Sequence, residues 1–471
     1  MNFTSPLFLL FILVVVTSNY FLSARHRSFF LVFSSLVFIS YYNTDSLIAL
    51  LFSAFFNFYF AKKVVGNRFA YITGIAINTL TIIVFNYLSS SKGELHFYFS
   101  GFNFDIKSVI IALGTSFYSL QNIAYLTEIY FKRALPESSF LKYVLYTSFF
   151  PKIISGPVML PNEFIPQIDS NIVTQEKLKS GFNRLLLGFF KKLVIADRLS
   201  PAVHSIFDFN DNYPGLTTLI GVYLFTIQLY FDFSGYTDMA LGAAKMLGYD
   251  LKENFNLPFR STSMSEFWRR WHISLMAWLT IYIYYPVAYR LRRHNKIATL
   301  TAIVLIFFIS SIWRGIHFTF LAWALCHILY ISFELLTKQS RSYLSKHLNY
   351  WLYNLFSAFM VFNAVCFSNI FFRAESMEKS IQLIKNIFSD FIPKNWLSEF
   401  TAPLAVGGHQ IEQFNFMVSL IIPFLVLLFE RRIVRLASSE KYRISFVVTC
   451  ILLIMFFGMF NSGSRFIYMQ F

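Results

Sequence analysis

The stretch Gln228-Leu229-Tyr230-Phe231-Asp232-Phe233-Ser234-Gly235-Tyr236-Thr237-Asp238-Met239 decides what kind of protein this chain is. It continues an apolar run that begins near residue 215. Into that run it sets two carboxylates, Asp232 and Asp238, with the hydroxyls of Ser234, Tyr236 and Thr237 between and beside them. A carboxylate at membrane depth is costly unless it faces protein or water, so such a residue marks a functional site by default. The segment therefore faces an internal cavity rather than lipid. Two readings are open at this point. The aspartates serve chemistry, or they cap a helix broken around Gly235 and pair with buried arginine.

Composition agrees with a membrane setting. Of 471 residues, 56% are hydrophobic and only 14% are charged, against about 25% charged in soluble domains. Phe occurs 60 times and aromatics make up 20%, which suits lipid-facing helices and interfacial belts. This balance excludes disorder and coiled coil. The net charge is +16, but no nucleic-acid motif accompanies it. Lys and Arg fall instead in short clusters between apolar runs: Arg25/Arg27, Lys62/Lys63, Lys191/Lys192, Arg290/Arg292/Arg293 and Arg431/Arg432/Arg435. Clusters of that kind hold loops against an anionic leaflet. Cys326, Cys366 and Cys450 lie far apart in apolar runs, with neither metal spacing nor a disulfide framework. Met1 to Tyr20 lacks a basic start and a cleavage site, and reads as a first membrane helix.

A spanning helix needs about 20 mostly apolar residues. Candidate spans fall near 5–22, 28–42, 46–61, 70–88, 107–121, 140–154, 183–199, 215–233, 275–289, 297–313, 316–336, 350–371, 414–430 and 444–460. Those at 140–154 and 275–289 are short enough to be re-entrant or interfacial. The expectation is an all-α integral membrane bundle of about eleven to thirteen spans, in one domain over 1–471 with its motifs densest over 107–337. The polar stretch 373–413 reads as a connection carrying an amphipathic helix, Ser376 to Phe388.

Two further constellations carry chemistry. In Ser263-Met264-Ser265-Glu266-Phe267-Trp268-Arg269-Arg270-Trp271-His272-Ile273-Ser274-Leu275, Ser263 and Glu266 form a capping box that starts a helix. Three- and four-residue spacing then places Trp268, Trp271, His272 and Leu275 on one face, with Arg269 and Arg270 on another. An interfacial helix with Trp anchors would explain the tryptophans and arginines, but not the histidine. The stretch from Ser310 to His327 puts Arg314, His317 and His327 in apolar surroundings beside Trp313 and Trp323. A lone histidine there would be a packing residue; three ionisable groups each require compensation. Neutral histidine is also the natural general base near neutral pH.

Taken in order, these segments resemble the membrane-bound O-acyltransferase superfamily, in the branch of the alginate O-acetylation membrane protein, with the D-alanine transfer protein of teichoic acids as a cousin. The resemblance covers essentially the whole chain. It rests on Gly114-Thr115-Ser116-Phe117-Tyr118-Ser119-Leu120-Gln121, Phe149-Phe150-Pro151-Lys152 with Ser155-Gly156-Pro157, and Gly188-Phe189-Phe190-Lys191-Lys192 with Ala196-Asp197. Next come Gln228 to Met239, Glu253-Asn254-Phe255-Asn256 with Pro258, and Glu266 to Ser274. Phe371-Phe372-Arg373-Ala374 and the ending Phe466 to Phe471 complete the series.

The resemblance implies a helical fold with a central funnel whose narrow middle holds a histidine, in a bacterial cytoplasmic (inner) membrane. It implies no bound cofactor. An acyl thioester donor such as acetyl-CoA enters from the cytoplasmic side. A polysaccharide acceptor, or a periplasmic or surface partner of the SGNH type, receives the acyl group on the other side. A base takes the acceptor's hydroxyl proton, and polar donors meet the oxyanion. Asp232, Ser234, Tyr236, Asp238, Asn254, Trp268, Arg269, Arg270, Trp271, Trp313 and His327 are then expected to line the tunnel. Lys191, Lys192, Arg269 and Arg270 are expected near the cytoplasmic interface, attracting the donor.

The sequence departs from the family pattern where the catalytic histidine would stand between tryptophan and glycine: here the motif is Trp313-Arg314-Gly315. Thr280 and Ile281 replace an arginine-aspartate pair. Arginine cannot act as a base. Three readings follow. His317, one turn beyond Arg314 on the same helical face, takes over as base while Arg314 binds the oxyanion. Alternatively the base is His272 or His327. Or the chain is a silent relative that binds or assembles.

Overall fold

The computed structural model describes residues 3–90, 95–99, 102–106, 114–208, 213, 215–389, 410–460 and 467. Four helices open the chain: α1 Pro6–Phe21, α2 Ala24–Tyr42, α3 Thr44–Val64 and α4 Arg68–Ser90. A small antiparallel hairpin, β1 Leu95–Phe99 with β2 Phe102–Ile106, follows. It is the one paired-strand element in an otherwise helical set of described residues. Then come α5 Thr115–Tyr130, α6 Phe140–Ser148, α7 Phe150–Ile153, α8 Pro161–Asp169 and α9 Gln175–Phe189. A π-helical stretch, Phe190–Ala196, leads into α10 Asp197–Asp208, and α11 Gly215–Met246 follows. The second half holds α12 Met264–Arg270, α13 Ile273–Leu279, a π stretch Thr280–Tyr284 and α14 Tyr285–Arg290. It continues with α15 Asn295–Arg314, α16 Phe318–Leu336, α17 Lys338–His347 and α18 Tyr350–Arg373. The last helices are α19 Met377–Phe388, α20 Gln410–Ser438 and α21 Arg443–Phe457.

Among the described residues, six helices are long and apolar enough to cross a membrane: Thr44–Val64, Arg68–Leu88, Gly215–Met246, Lys296–Arg314, Phe318–Leu336 and Tyr350–Arg373. Two shorter apolar helices, Pro6–Phe21 and Arg443–Phe457, stand beside them, and other expected runs are divided into shorter pieces. The run 140–154 breaks at Phe149 into α6 and α7. The run 183–199 passes through a π turn, and 275–289 is built from three short pieces. Residues 107–113 lie outside the described part. The amphipathic helix α19 forms as expected, with Ser376 accepting the N–H of Lys379 at its start.

α11 is the axis of the bundle. In its most apolar window 78% of residues are buried, against 28–39% in the other five spans. It runs antiparallel to α9 at very close range. A Cβ on Gly188 would sit 2.6 Å from the carbonyl oxygen of Gly235, so the two backbones touch where side chains would hold them apart. Gly114, at φ +74, starts α5 where a Cβ would meet the Ile153 carbonyl at 2.6 Å. Helices α3, α4, α5 and α6 are further tied by a buried amide ladder. Asn78 donates to Asn57 (2.8 Å), Asn122 donates to Asn78 (3.2 Å), and Tyr143 donates to Asn122 (2.8 Å). Such side-chain bonds between helices replace the hydrophobic drive that lipid does not supply.

Candidate active site

The expected break at Gly235 is absent: α11 runs unbroken through Asp232 and Asp238. The carboxylates are compensated from α9 and the π stretch instead. Arg184 Nε lies 2.5 Å and Lys191 Nζ 2.8 Å from Asp238, while Lys192 Nζ reaches Asp232 at 2.6 Å and Asp197 at 2.7 Å. The π turn is what lets two consecutive lysines both face α11. Lys191 also donates to Ser234 (2.7 Å) and lies 3.3 Å from Glu430, which accepts from Tyr230 (2.6 Å). Lys191 and Lys192 are therefore not interfacial, as the sequence suggested, but 3% and 1% exposed. Arg184 and Glu430 are the members that sequence reasoning missed. Glu430, a single acid ending an apolar run, was the available clue.

This network forms one wall of a polar cavity of about 370 Å³, lined by Arg184, Lys191, Ser234, Thr237, Asp238, Glu253, Asn256, Ile273, Glu430, Arg431 and Arg435. Asp232 is not on that wall. It is consumed by Lys192 and by the backbone N–H of Ile467 (2.8 Å). Tyr236 also leaves the expected tunnel and packs against Phe3, ring centres 4.9 Å apart.

The helix expected to run from Ser263 through Leu275 stops at Trp271. Ser263 caps it by accepting the N–H of Glu266 (3.1 Å), but the Glu266 carboxylate turns to Thr262 rather than closing the box. Residues 254–256 then pair with 270–273 as a short bridge: Asn256 N–H to Arg270 O (3.0 Å) and Ile273 N–H to Asn254 O (2.9 Å). That bridge holds His272 in a left-handed conformation, φ +47, before α13 begins. The imidazole is fully buried, 4.7 Å from the ring of Phe233 and 6.2 Å from that of Trp313. Asn254 is pinned through its oxygen, which accepts from Ser274 Oγ at 2.6 Å. Its buried Nδ2 and the buried Nε1 of Trp313 have no acceptor among the described residues.

His272 itself lines neither of two large cavities, but residues next to it do. Ile273, its neighbour, lines the polar one. Leu275 and Trp313 line a second cavity, also about 370 Å³ and almost wholly apolar.

The remaining expected site residues do not join this centre. His317 is exposed and caps α16, because α15 ends at Arg314 and Gly315 turns the chain; it shares no helical face with Arg314. Arg314 is buried, its guanidinium carbon 5.0 Å from the ring centre of Trp323 and 4.9 Å from that of Phe372. It borders a crevice of about 10 Å³ with Trp268, Trp271 and His327, too small for a substrate. His327 is committed on both sides. Trp268 Nε1–H donates to its Nδ1 (3.3 Å), so its proton lies on Nε2, facing Ser368 Oγ at 3.1 Å. Arg270 pairs with Glu266 (2.6 Å), and Arg269 is exposed.

The site is thus a fully buried histidine next to the cavity-lining residues Ile273 and Trp313, set in a polytopic helical bundle, and comparison with known proteins assigns the class. Residues 87–374 match the model of the MBOAT, membrane-bound O-acyltransferase family, and the chain belongs to that family. It is 32% identical over 295 residues to the probable alginate O-acetylase AlgI of Pseudomonas aeruginosa, covering 60% of this chain and 56% of that protein. It is 28% identical over 430 residues to the peptidoglycan O-acetyltransferase of Helicobacter pylori, covering 82% and 79%. To the teichoic acid D-alanyltransferase of Bacillus subtilis it is 27% identical over 287 residues, covering 57% and 70%. The chain thus spans little more than half the length of the alginate relative. The expected multi-pass membrane character and family stand.

Proposed function

We propose that this chain moves an acyl group, acetyl by the names of its relatives, from a thioester such as acetyl-CoA to a hydroxyl of a cell-surface polysaccharide, directly or through an SGNH-type partner, in a bacterial inner membrane. One observation carries the reading: the fully buried His272 lies 6.2 Å from the ring of Trp313, and the buried N–H groups of Trp313 and of nearby Asn254 have no acceptor among the described residues. His272 takes the proton of the acceptor hydroxyl as its oxygen attacks the thioester carbonyl. Asn254 Nδ2–H and Trp313 Nε1–H face the oxyanion of the tetrahedral intermediate. Its collapse expels the thiolate, which recovers the proton from His272. The polar cavity, with Arg184, Arg431 and Arg435 on its lining, suits the charged end of the donor.

Membranes containing the full chain, given acetyl-CoA and the polymer acceptor, should release free thiol in step with ester formed. The motif Trp313-Arg314-Gly315 favours a second reading, a silent relative that binds without catalysis. No thiol release from wild type, with release gained by Arg314→His, would establish that second reading.

A further inference from the structure

We infer that the apolar cavity beside Trp313 is a seat for one acyl chain of an anionic membrane phospholipid, with its phosphate at Arg133. Along α5 and the residue that caps it, the lining residues Leu120, Ile123, Thr127 and Phe131 follow one face. At 1.5 Å per residue, they make a groove about 16 Å long. α4, α13 and α15 complete the walls, and the lining is apolar over nearly its whole length. One end closes on Trp313. The other end holds Arg133, with one guanidinium nitrogen 3.2 Å from Glu128, while its side chain stays 49% exposed. Tyr282 steadies Glu128 from across the groove (2.8 Å). A long apolar slot with a single half-exposed cation at its mouth matches a lipid chain and its phosphate, not a sugar or a nucleotide.

The surroundings of that mouth point the same way independently. α3 ends at this side with Lys62 and Lys63, and α4 starts there with Arg68, since Tyr71 stacks on Tyr130 at the end of α5 (4.2 Å). Tyr282 and Pro286 reach the same end, so α14 and the turn after it deliver Arg290 and Arg292 beyond it. A rim this basic lies where anionic headgroups concentrate. The inference does not depend on whether the chain catalyses acyl transfer.

Trp278 and Trp313 line the groove and report on it. The full chain is reconstituted in phosphatidylcholine vesicles carrying either phosphatidylglycerol or phosphatidylcholine brominated on its acyl chains, at equal content. Tryptophan quenching should be stronger with the brominated phosphatidylglycerol. Trp278→Phe should remove part of that excess. Arg133→Gln should reduce the preference about fivefold, the contribution of one cation at an anionic surface. Equal quenching by the two lipids in wild type overturns the proposal. So does an undiminished preference in an Arg133→Gln protein that elutes as a single species like wild type.

Discussion

Lys191 Nζ stands 2.8 Å from Asp238 Oδ2, both groups under 5% exposed, and this pair ties the π stretch to the central helix. A charge left alone at such a site is far more costly than the pair itself is stabilising. Asp238→Asn should therefore leave Arg184 with Glu253 and Lys191 with Glu430 as their remaining partners, and lower stability by up to about 3 kcal/mol. Thermal unfolding in detergent measures it. Adding Lys191→Met to Asp238→Asn should restore part of the loss, because it removes a buried cation that has lost its nearest carboxylate, while Tyr230 still donates to Glu430.

Gly188→Ala tests the close contact of α9 with α11. The added methyl would lie 2.6 Å from Gly235 O and from Met239, both on the rigid central helix. Overpacking of that kind costs about 1–3 kcal/mol. The expected outcome is a lower melting temperature with a normal helical spectrum.

His327 and His317 should both prove dispensable for chemistry, for opposite reasons. His327→Gln should lower the melting temperature through its bonds to Trp268 and Ser368, and leave the rate per folded molecule little changed. His317→Ala, at an exposed cap, should change neither. Parallel melting and thiol-release assays on the two variants check this.

The membrane class and most helix positions were legible because they depend on local composition and on Ser, Asn and Gly at ends, as at Ser376 and Gly114. The break at His272 was not. It is imposed by pairing with residues 254–256, a contact that periodicity within 263–275 cannot report. The burial of Lys191 and Lys192 was hidden for a similar reason: their partners on α11 lie 40 or more residues away, and a basic pair beside an apolar run also reads as a loop anchor. The amide ladder of Asn57, Asn78 and Asn122 left no pattern, since each is a single polar residue in an apolar helix. His317 was misplaced by extending one helical period past Gly315, whose φ of +157 ends α15.

The most direct test of the account is the acyl-transfer rate of His272→Asn, normalised to folded protein and compared with wild type. Asparagine accepts the left-handed backbone at this position but cannot serve as the base. The account predicts a fall of about 10²–10⁴-fold with an unchanged melting profile. A His272→Asn protein that transfers acyl groups at the wild-type rate would contradict it.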